Sequence, residues 1–110
     1  MKNTISNAIN SGECIEFEYD DYHRVLNPFI LYQSQDGEIL VEGAQVGGGS
    51  ESKSMPFWRS FHLNQIGSLE TTECPEPVHG SDKIMPDTEE KYNPDHERYR
   101  KTICAKDDIK

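Results

Sequence analysis

Residues 57–63 read FWRSFHL, and this stretch decides the fold class. Alternate side chains of an extended chain point to the same face of a sheet, whereas a helix would spread them around its axis. An extended conformation collects three apolar side chains of this stretch on one face. That face carries Phe57, Arg59, Phe61 and Leu63. The stretch therefore predicts a strand that is buried on one side.

The same alternation occurs on both sides of this stretch and predicts a sheet. Asp20-Asp21 and Asp36-Gly37 separate the upstream runs, and Asp-Gly is a strong hairpin signal. Pro28 lies inside one run and cannot donate a ladder hydrogen bond, so it marks an edge position or a bulge. The predicted strands are residues 14–19, 23–33, 38–44, 58–63 and 68–73.

A short helix is predicted over residues 3–11. Ile5, Ala8 and Ile9 recur at helical spacing, and Gly12 is a typical C-terminal stop. A helix at one end of five short antiparallel strands is typical of a small open barrel. The sequence thus predicts a mainly β fold.

The chain length allows one domain with one modest core, because 110 residues is close to the commonest domain size. We expect residues 1–74 to form the barrel with its helix. Residues 75–110 are expected to form a connector and a C-terminal extension that packs on the same domain. Within this extension, Asn93-Pro94 favours a turn and residues 102–104 favour a short strand.

The charge balance limits the possible partners. Asp and Glu number 20 against 11 for Lys and Arg, which gives a net charge of −9. Generic binding to duplex DNA is not expected, because phosphate attraction requires many cations. The sequence has no apolar run of about 20 residues, and its first residues lack a secretory apolar region. We therefore expect a cytoplasmic protein with no membrane partner.

The cysteines and histidines show no spacing that is typical of a catalytic or metal-binding site. Cys14, Cys74 and Cys104 are far apart and odd in number, which favours reduced, buried thiols. The histidines show no zinc-binding pattern. No nucleophile with a base is evident, so the sequence predicts neither an enzyme nor a cofactor.

Residues 47–54, GGGSESKS, approach a phosphate-binding P-loop but do not complete it. Ser52 stands where the second glycine of the motif belongs. Pro56 and the strand that follows it replace the helix that a P-loop requires. The segment is instead interpreted as a rim loop between two strands. Its glycines are costly to order, so we expect residues 46–55 to be the least ordered internal segment.

Several short patterns follow one another over residues 5–70. They are I-x-x-A-I from Ile5, I-x-F-x-Y from Ile15, R-V-x-x-P from Arg24, G-x-I-L-V from Gly37, and R-x-F-x-L-x-x-I from Arg59. In this order they resemble the WYL domain, a small Sm-like or SH3-like β-barrel of bacterial regulators and phage-defence proteins. Ile39 and Leu40 replace the aromatic pair that gives the family its name.

The resemblance implies a ligand-sensing module that binds nucleotides or nucleic-acid ends. By position it selects Arg24 and Arg59, with Tyr19 nearby. Arg59 can capture an anion with both arms of its guanidinium. It can equally pair with a neighbouring carboxylate, from Glu18, Asp20 or Asp21.

Three further residues complete the predicted ligand site. Trp58 can stack on a base, or it can pack against the helix or a partner. Gln45 and Ser52 can hydrogen-bond a ligand from the rim loop. The alternative function is a protein-interaction barrel, as a homo-oligomer or as a subunit of a regulatory or defence complex.

Overall fold

The structure is a computed structural model that describes residues 1–48, 57–74 and 93–106. It contains one helix, a single 3₁₀ turn and a sheet in these ranges. The elements are α1 (Lys2–Ser11), β1 (Cys14–Tyr19), β2 (Tyr22–Gln33), β3 (Ile39–Gly48), β4 (Phe57–His62), the 3₁₀ turn Leu63–Gln65, β5 (Gly67–Thr72) and β6 (Lys101–Ala105). The mainly β fold with an N-terminal helix is confirmed.

The described strands form one open, six-stranded antiparallel sheet. Five strands follow the order β4-β3-β2-β1-β5, and β6 pairs with β2. The expected number of five strands is therefore wrong. The additional strand, β6, contains the 102–104 stretch, whose β-branched residues fit an extended chain. The strand predicted to end at residue 44 continues to Gly48.

The central strand β2 is bent by a bulge. Pro28 pairs with Gly43 and Ile30 pairs with Glu42, so Phe29 is left as an extra residue on β2. An extra residue shifts the alternation of side chains and bends the strand. Of the two alternatives that Pro28 indicated, an edge position or a bulge, the structure shows the bulge. As a result Phe29 and Ile30, which are consecutive, are buried in the same apolar cluster.

Two apolar cores result, one on each face. The inner core lies under α1 and contains Ile5, Ala8, Ile9, Ile15, Phe17, Tyr19, Leu26, Leu31, Val41, Phe61, Leu63 and Ile66. The outer core lies on the opposite face and contains Phe29, Ile30, Tyr32, Leu40, Trp58 and, from the C-terminal segment (residues 93–106), Tyr99. Tyr99, which precedes β6, therefore lies on the face of the sheet that α1 leaves open, while β6 is part of the sheet and its Cys104 packs against the inner core.

The helix forms as the sequence predicts. Ile5, Ala8 and Ile9 are its buried residues. Gly12 ends the helix in the left-handed region with φ 79°, and its N–H donates to the Ala8 carbonyl. Glycine adopts this conformation without strain from a Cβ.

Tyr19 connects strands that are distant in the sheet order. Its hydroxyl accepts a hydrogen bond of 3.2 Å from the backbone N–H of His62 on β4. The Phe61 ring lies 4.8 Å from the Tyr19 ring and 5.0 Å from the Phe17 ring, in edge-on contacts. The aromatic side chains of β1 and β4 thus meet across the inner core.

The expectation of three reduced cysteines is wrong for two of them. Cys14 and Cys74 form a disulfide, with their Cα atoms 4.9 Å apart, and Cys104 is a free thiol. Sequence spacing could not indicate this pair, because the two cysteines meet only when β1 pairs with β5. No helix in the described ranges has the length and apolar character needed to cross a bilayer. The cytoplasmic location stays a prediction.

Gly43 lies where β3 passes closest to the bend in β2. A Cβ at this position would overlap the backbone carbonyl of Asn27. We expect Gly43→Ala to lower the free energy of unfolding by about 3 kcal/mol, because backbone atoms cannot move aside easily. Gly67→Ala is the matched control, since open space surrounds that position. Equal urea midpoints for the two variants would contradict the tight approach.

The disulfide should contribute substantially to stability. The bonded cysteines are 60 residues apart in the sequence. Closing a loop of this length restricts the unfolded chain and corresponds to about 4 kcal/mol in the chain-entropy model. Cys14→Ser should therefore lower the free energy of unfolding, and a reductant should have the same effect on wild type but none on the variant. A Cys104→Ser protein should respond to reductant as wild type does.

Candidate anion-binding site

A tight turn places Arg24 at the edge of the inner core. Asp20 and Asp21 have φ angles of 51° and 67°, which fits the short hairpin between β1 and β2. Arg24 follows the turn and is only 4% exposed. Its Nε and Nη2 donate to the Tyr19 carbonyl oxygen at 3.4 and 3.3 Å. The turn and the arginine thus hold one another in position.

Arg59 converges with Arg24 on the same aromatic ring. The guanidinium carbon of Arg59 lies 5.1 Å from the Phe61 ring centre, and that of Arg24 lies 5.7 Å from it. Burial lowers the pKa of Arg59, and the positive charge of Arg24 lowers it further. The two guanidinium groups thus lie near one ring, and the charge of Arg24 disfavours the charged form of Arg59.

Groups near the turn only partly offset the lowering of the Arg59 pKa. Tyr19 and Asp20 act to raise the pKa of Arg59, but burial and Arg24 outweigh them. Arg24 has no carboxylate partner in the described part of the chain, and its buried Nη1 has no hydrogen-bond acceptor there. Its guanidinium group also lies over the rings of Tyr19, Tyr22 and Phe61.

Gln45 shares the inner face with the two arginines. It pairs with Leu26 of the inner core. The neighbouring inward-facing residue on β3 is Gly43, and Gly43 pairs with Arg59 on β4. Gln45 is fully buried, and its Nε2 donates to the Gly47 carbonyl at 3.1 Å. Its Oε1 is buried without a hydrogen-bond donor in the described residues. Sequence reasoning selected this residue but gave no sign of its burial.

The structure brings together four of the six predicted site residues. Arg24, Arg59, Tyr19 and Gln45 lie on the inner face. Trp58 points to the outer face, where it is buried, and its indole N–H donates to Glu42 at 2.8 Å. Ser52 lies outside the described residues, as does most of the segment expected to be least ordered.

A second polar cluster, the Glu42 cluster, lies on the outer face and was missed in the sequence. The Glu42 carboxylate is 3% exposed and accepts hydrogen bonds from four side chains. The donors are Tyr32 (2.6 Å), Trp58 (2.8 Å), Tyr99 (3.0 Å) and Arg98 (3.1 Å). The only hint in the sequence was a charged residue inside an otherwise apolar strand.

The Glu42 cluster attaches the C-terminal segment to the sheet. Burial and the negative charge of Glu42 raise the pKa values of Tyr32 and Tyr99, so both remain protonated donors. Burial opposes the charge of Arg98, but Tyr99 and Glu42 outweigh burial and raise its pKa. Since its donors all point to one carboxylate, this cluster is a structural anchor.

Other features of the described residues do not add to the arginine site. A cavity of about 770 Å³ lies between the start of α1, the β2–β3 turn and residues 63–64. Neither arginine lines it. In the described ranges, no group of His, Cys, Asp and Glu residues could hold a metal ion.

Comparison with known proteins identifies no relative. No family model, no curated protein and no solved structure matches the chain. The resemblance to WYL domains therefore stays a prediction.

The raised pKa values of Tyr32 and Tyr99 predict a loss of stability at high pH. Unfolded tyrosines ionise near pH 10.0, whereas these two keep their protons above that pH when folded. The folded chain then binds more protons than the unfolded chain, so the free energy of unfolding falls as pH rises past 10. Tyr32→Phe should flatten this fall and cost about 2 kcal/mol at neutral pH.

Tyr22→Phe is the control for this experiment, because Tyr22 contacts Arg24 and lies outside the Glu42 cluster. Urea unfolding across the alkaline range measures both variants. A wild-type free energy of unfolding that stays constant above pH 10 would contradict the assignment.

Proposed function

We propose that this chain is a non-enzymatic module that binds a small anionic ligand between Arg24 and Arg59. The ligand class is a nucleotide or a nucleic-acid end, on a WYL-like barrel of the Sm or SH3 type. One observation carries the proposal: the buried Nη1 of Arg24 has no acceptor among the described residues.

The Arg24 cation is almost completely removed from water. A buried charge is unfavourable unless an opposite charge or hydrogen bonds compensate it. For Arg24 the described compensation is one backbone carbonyl and three aromatic rings. An anion would supply both the missing acceptor and the missing charge.

The two arginines have different parts in binding. Arg59 is the more exposed of the two, so an incoming anion meets it first. Arg24 is nearly enclosed, so an anion that reaches its Nη1 has to displace neighbouring side chains. A bound anion would also relieve the repulsion that lowers the pKa of Arg59. Binding should therefore stabilise the contact between β2 and β4.

The net charge of the chain limits the kinds of anionic partner that it can bind. With a net charge of −9, attraction to a long polyanion is weak. Two converging guanidiniums act over a short distance, so a compact anion is the better ligand. A regulatory or phage-defence role in bacteria follows from the family resemblance alone.

The alternative of a protein-interaction barrel draws no support from Trp58. This side chain is 8% exposed and is hydrogen-bonded to Glu42. It presents little surface to a partner or to a base. The anion site is therefore the better-supported function.

Arg59→Ala should remove anion binding while the protein remains folded. We expect calorimetric titration of nucleotides and short single strands to detect binding to wild type only. Arg59→Lys should recover part of the affinity, because an ammonium lacks the two-armed geometry of a guanidinium.

Arg100→Ala is the charge-matched control, since Arg100 is exposed and lies next to β6. It should bind anions as wild type does. Equal affinities of wild type and Arg59→Ala, or no binding of any anion to wild type, would count against the site and favour the protein-interaction alternative.

A further inference from the structure

The side-chain amide of Gln45 offers an acceptor that nothing in the described residues uses. Gln45 is fully buried, and its Oε1 has no hydrogen-bond donor within residues 1–48, 57–74 and 93–106. Buried acceptors without a donor are rare in folded proteins, and each one needs an explanation. A ligand that brings its own donor would provide one.

The orientation of this amide follows from its other hydrogen bond. Nε2 donates to the carbonyl oxygen of Gly47 at 3.1 Å. With the amide turned over, Oε1 would face that carbonyl and two acceptors would repel one another. Oε1 is therefore directed away from Gly47, as the acceptor that the described residues leave unused.

The sheet register places this acceptor beside the arginines. Gln45 is the next inward-facing residue after Gly43 on β3, and Gly43 pairs with Arg59 on β4. Its partner on β2, Leu26, is the next inward-facing residue after Arg24. The inner face thus combines two cationic donors with one neutral acceptor.

We infer that Gln45 makes this site selective for an oxyanion that carries its own hydrogen-bond donor, over an oxyanion with acceptors only. This inference rests on the proposed anion-binding function. An oxyanion with acceptors alone meets repulsion from Oε1, whereas an O–H group on the anion donates to it. The ligand class is hydrogen phosphate or a phosphate ester with a nearby hydroxyl, as in a nucleotide.

Sulfate and hydrogen phosphate are a matched pair of probes. At mildly alkaline pH both are tetrahedral dianions, but only hydrogen phosphate keeps an O–H group. Methyl phosphate, as a dianion, keeps the phosphate oxygens and lacks this O–H group. A nucleoside monophosphate carries ribose hydroxyls in addition. The four anions together distinguish free phosphate from an ester that supplies its donor elsewhere.

The experiment is calorimetric titration of these anions into the full chain and into Gln45→Met. Wild type should bind hydrogen phosphate at least about tenfold more tightly than sulfate or methyl phosphate, since one hydrogen bond within a buried ionic site accounts for about this factor. In Gln45→Met this preference should disappear, because hydrogen phosphate loses its acceptor and sulfate no longer faces repulsion from Oε1.

A second measurement does not depend on the folding of a variant. In wild type, the side-chain amide resonances of Gln45 should shift with hydrogen phosphate and remain in place with sulfate. Tight binding of a nucleoside monophosphate and not of methyl phosphate would assign the donor to the sugar hydroxyls and support the inference.

Equal affinity of wild type for sulfate and hydrogen phosphate would overturn the selectivity but leave the anion site intact. A preference that persists in Gln45→Met would overturn it as well. Absence of binding for all four anions, in wild type as in Arg59→Ala, would instead reject the proposed function itself.

Discussion

The bend of β2 around Pro28 is the constraint on which the rest of the structure depends. It requires an extra residue, Phe29, on β2 and a residue without a side chain, Gly43, on the facing strand. The bulge places two consecutive residues, Phe29 and Ile30, in the outer core, whereas Leu26 and Leu31 of the same strand lie in the inner core. The arginines occupy the inner face, and the Glu42 cluster occupies the outer face. The arginines and the Glu42 cluster therefore contact different sets of aromatic rings.

The buried charges on the two faces of the sheet have different partners. On the outer face, the Glu42 carboxylate is matched by Arg98 and three neutral donors. On the inner face, Arg24 is held by a backbone carbonyl and aromatic rings, with another cation nearby. Four donors on one carboxylate are typical of a structural anchor, whereas a buried cation with no carboxylate partner among the described residues is typical of a site with a ligand. This contrast favours the inner face as the functional one.

Local patterns predicted most elements of the fold, because hydrophobic alternation and turn residues act over a few positions. Alternation placed Arg59 and Trp58 on opposite faces, and Pro28 indicated the bulge. Long-range features could not be predicted in the same way. The Cys14–Cys74 disulfide and the pairing of β6 with β2 join residues that are distant in sequence. The burial of Gln45 and Glu42 likewise depends on which strands become neighbours.

The position of Trp58 determines what optical spectroscopy can detect in this protein. Trp58 is the only tryptophan of the chain, and its indole N–H is bonded to the same carboxylate that holds Arg98 and Tyr99. Intrinsic fluorescence therefore reports whether the C-terminal segment is docked on the outer face. Occupancy of the arginine site, on the other side of the sheet, should be nearly invisible to it. The two events can be followed separately in one sample, without an added label.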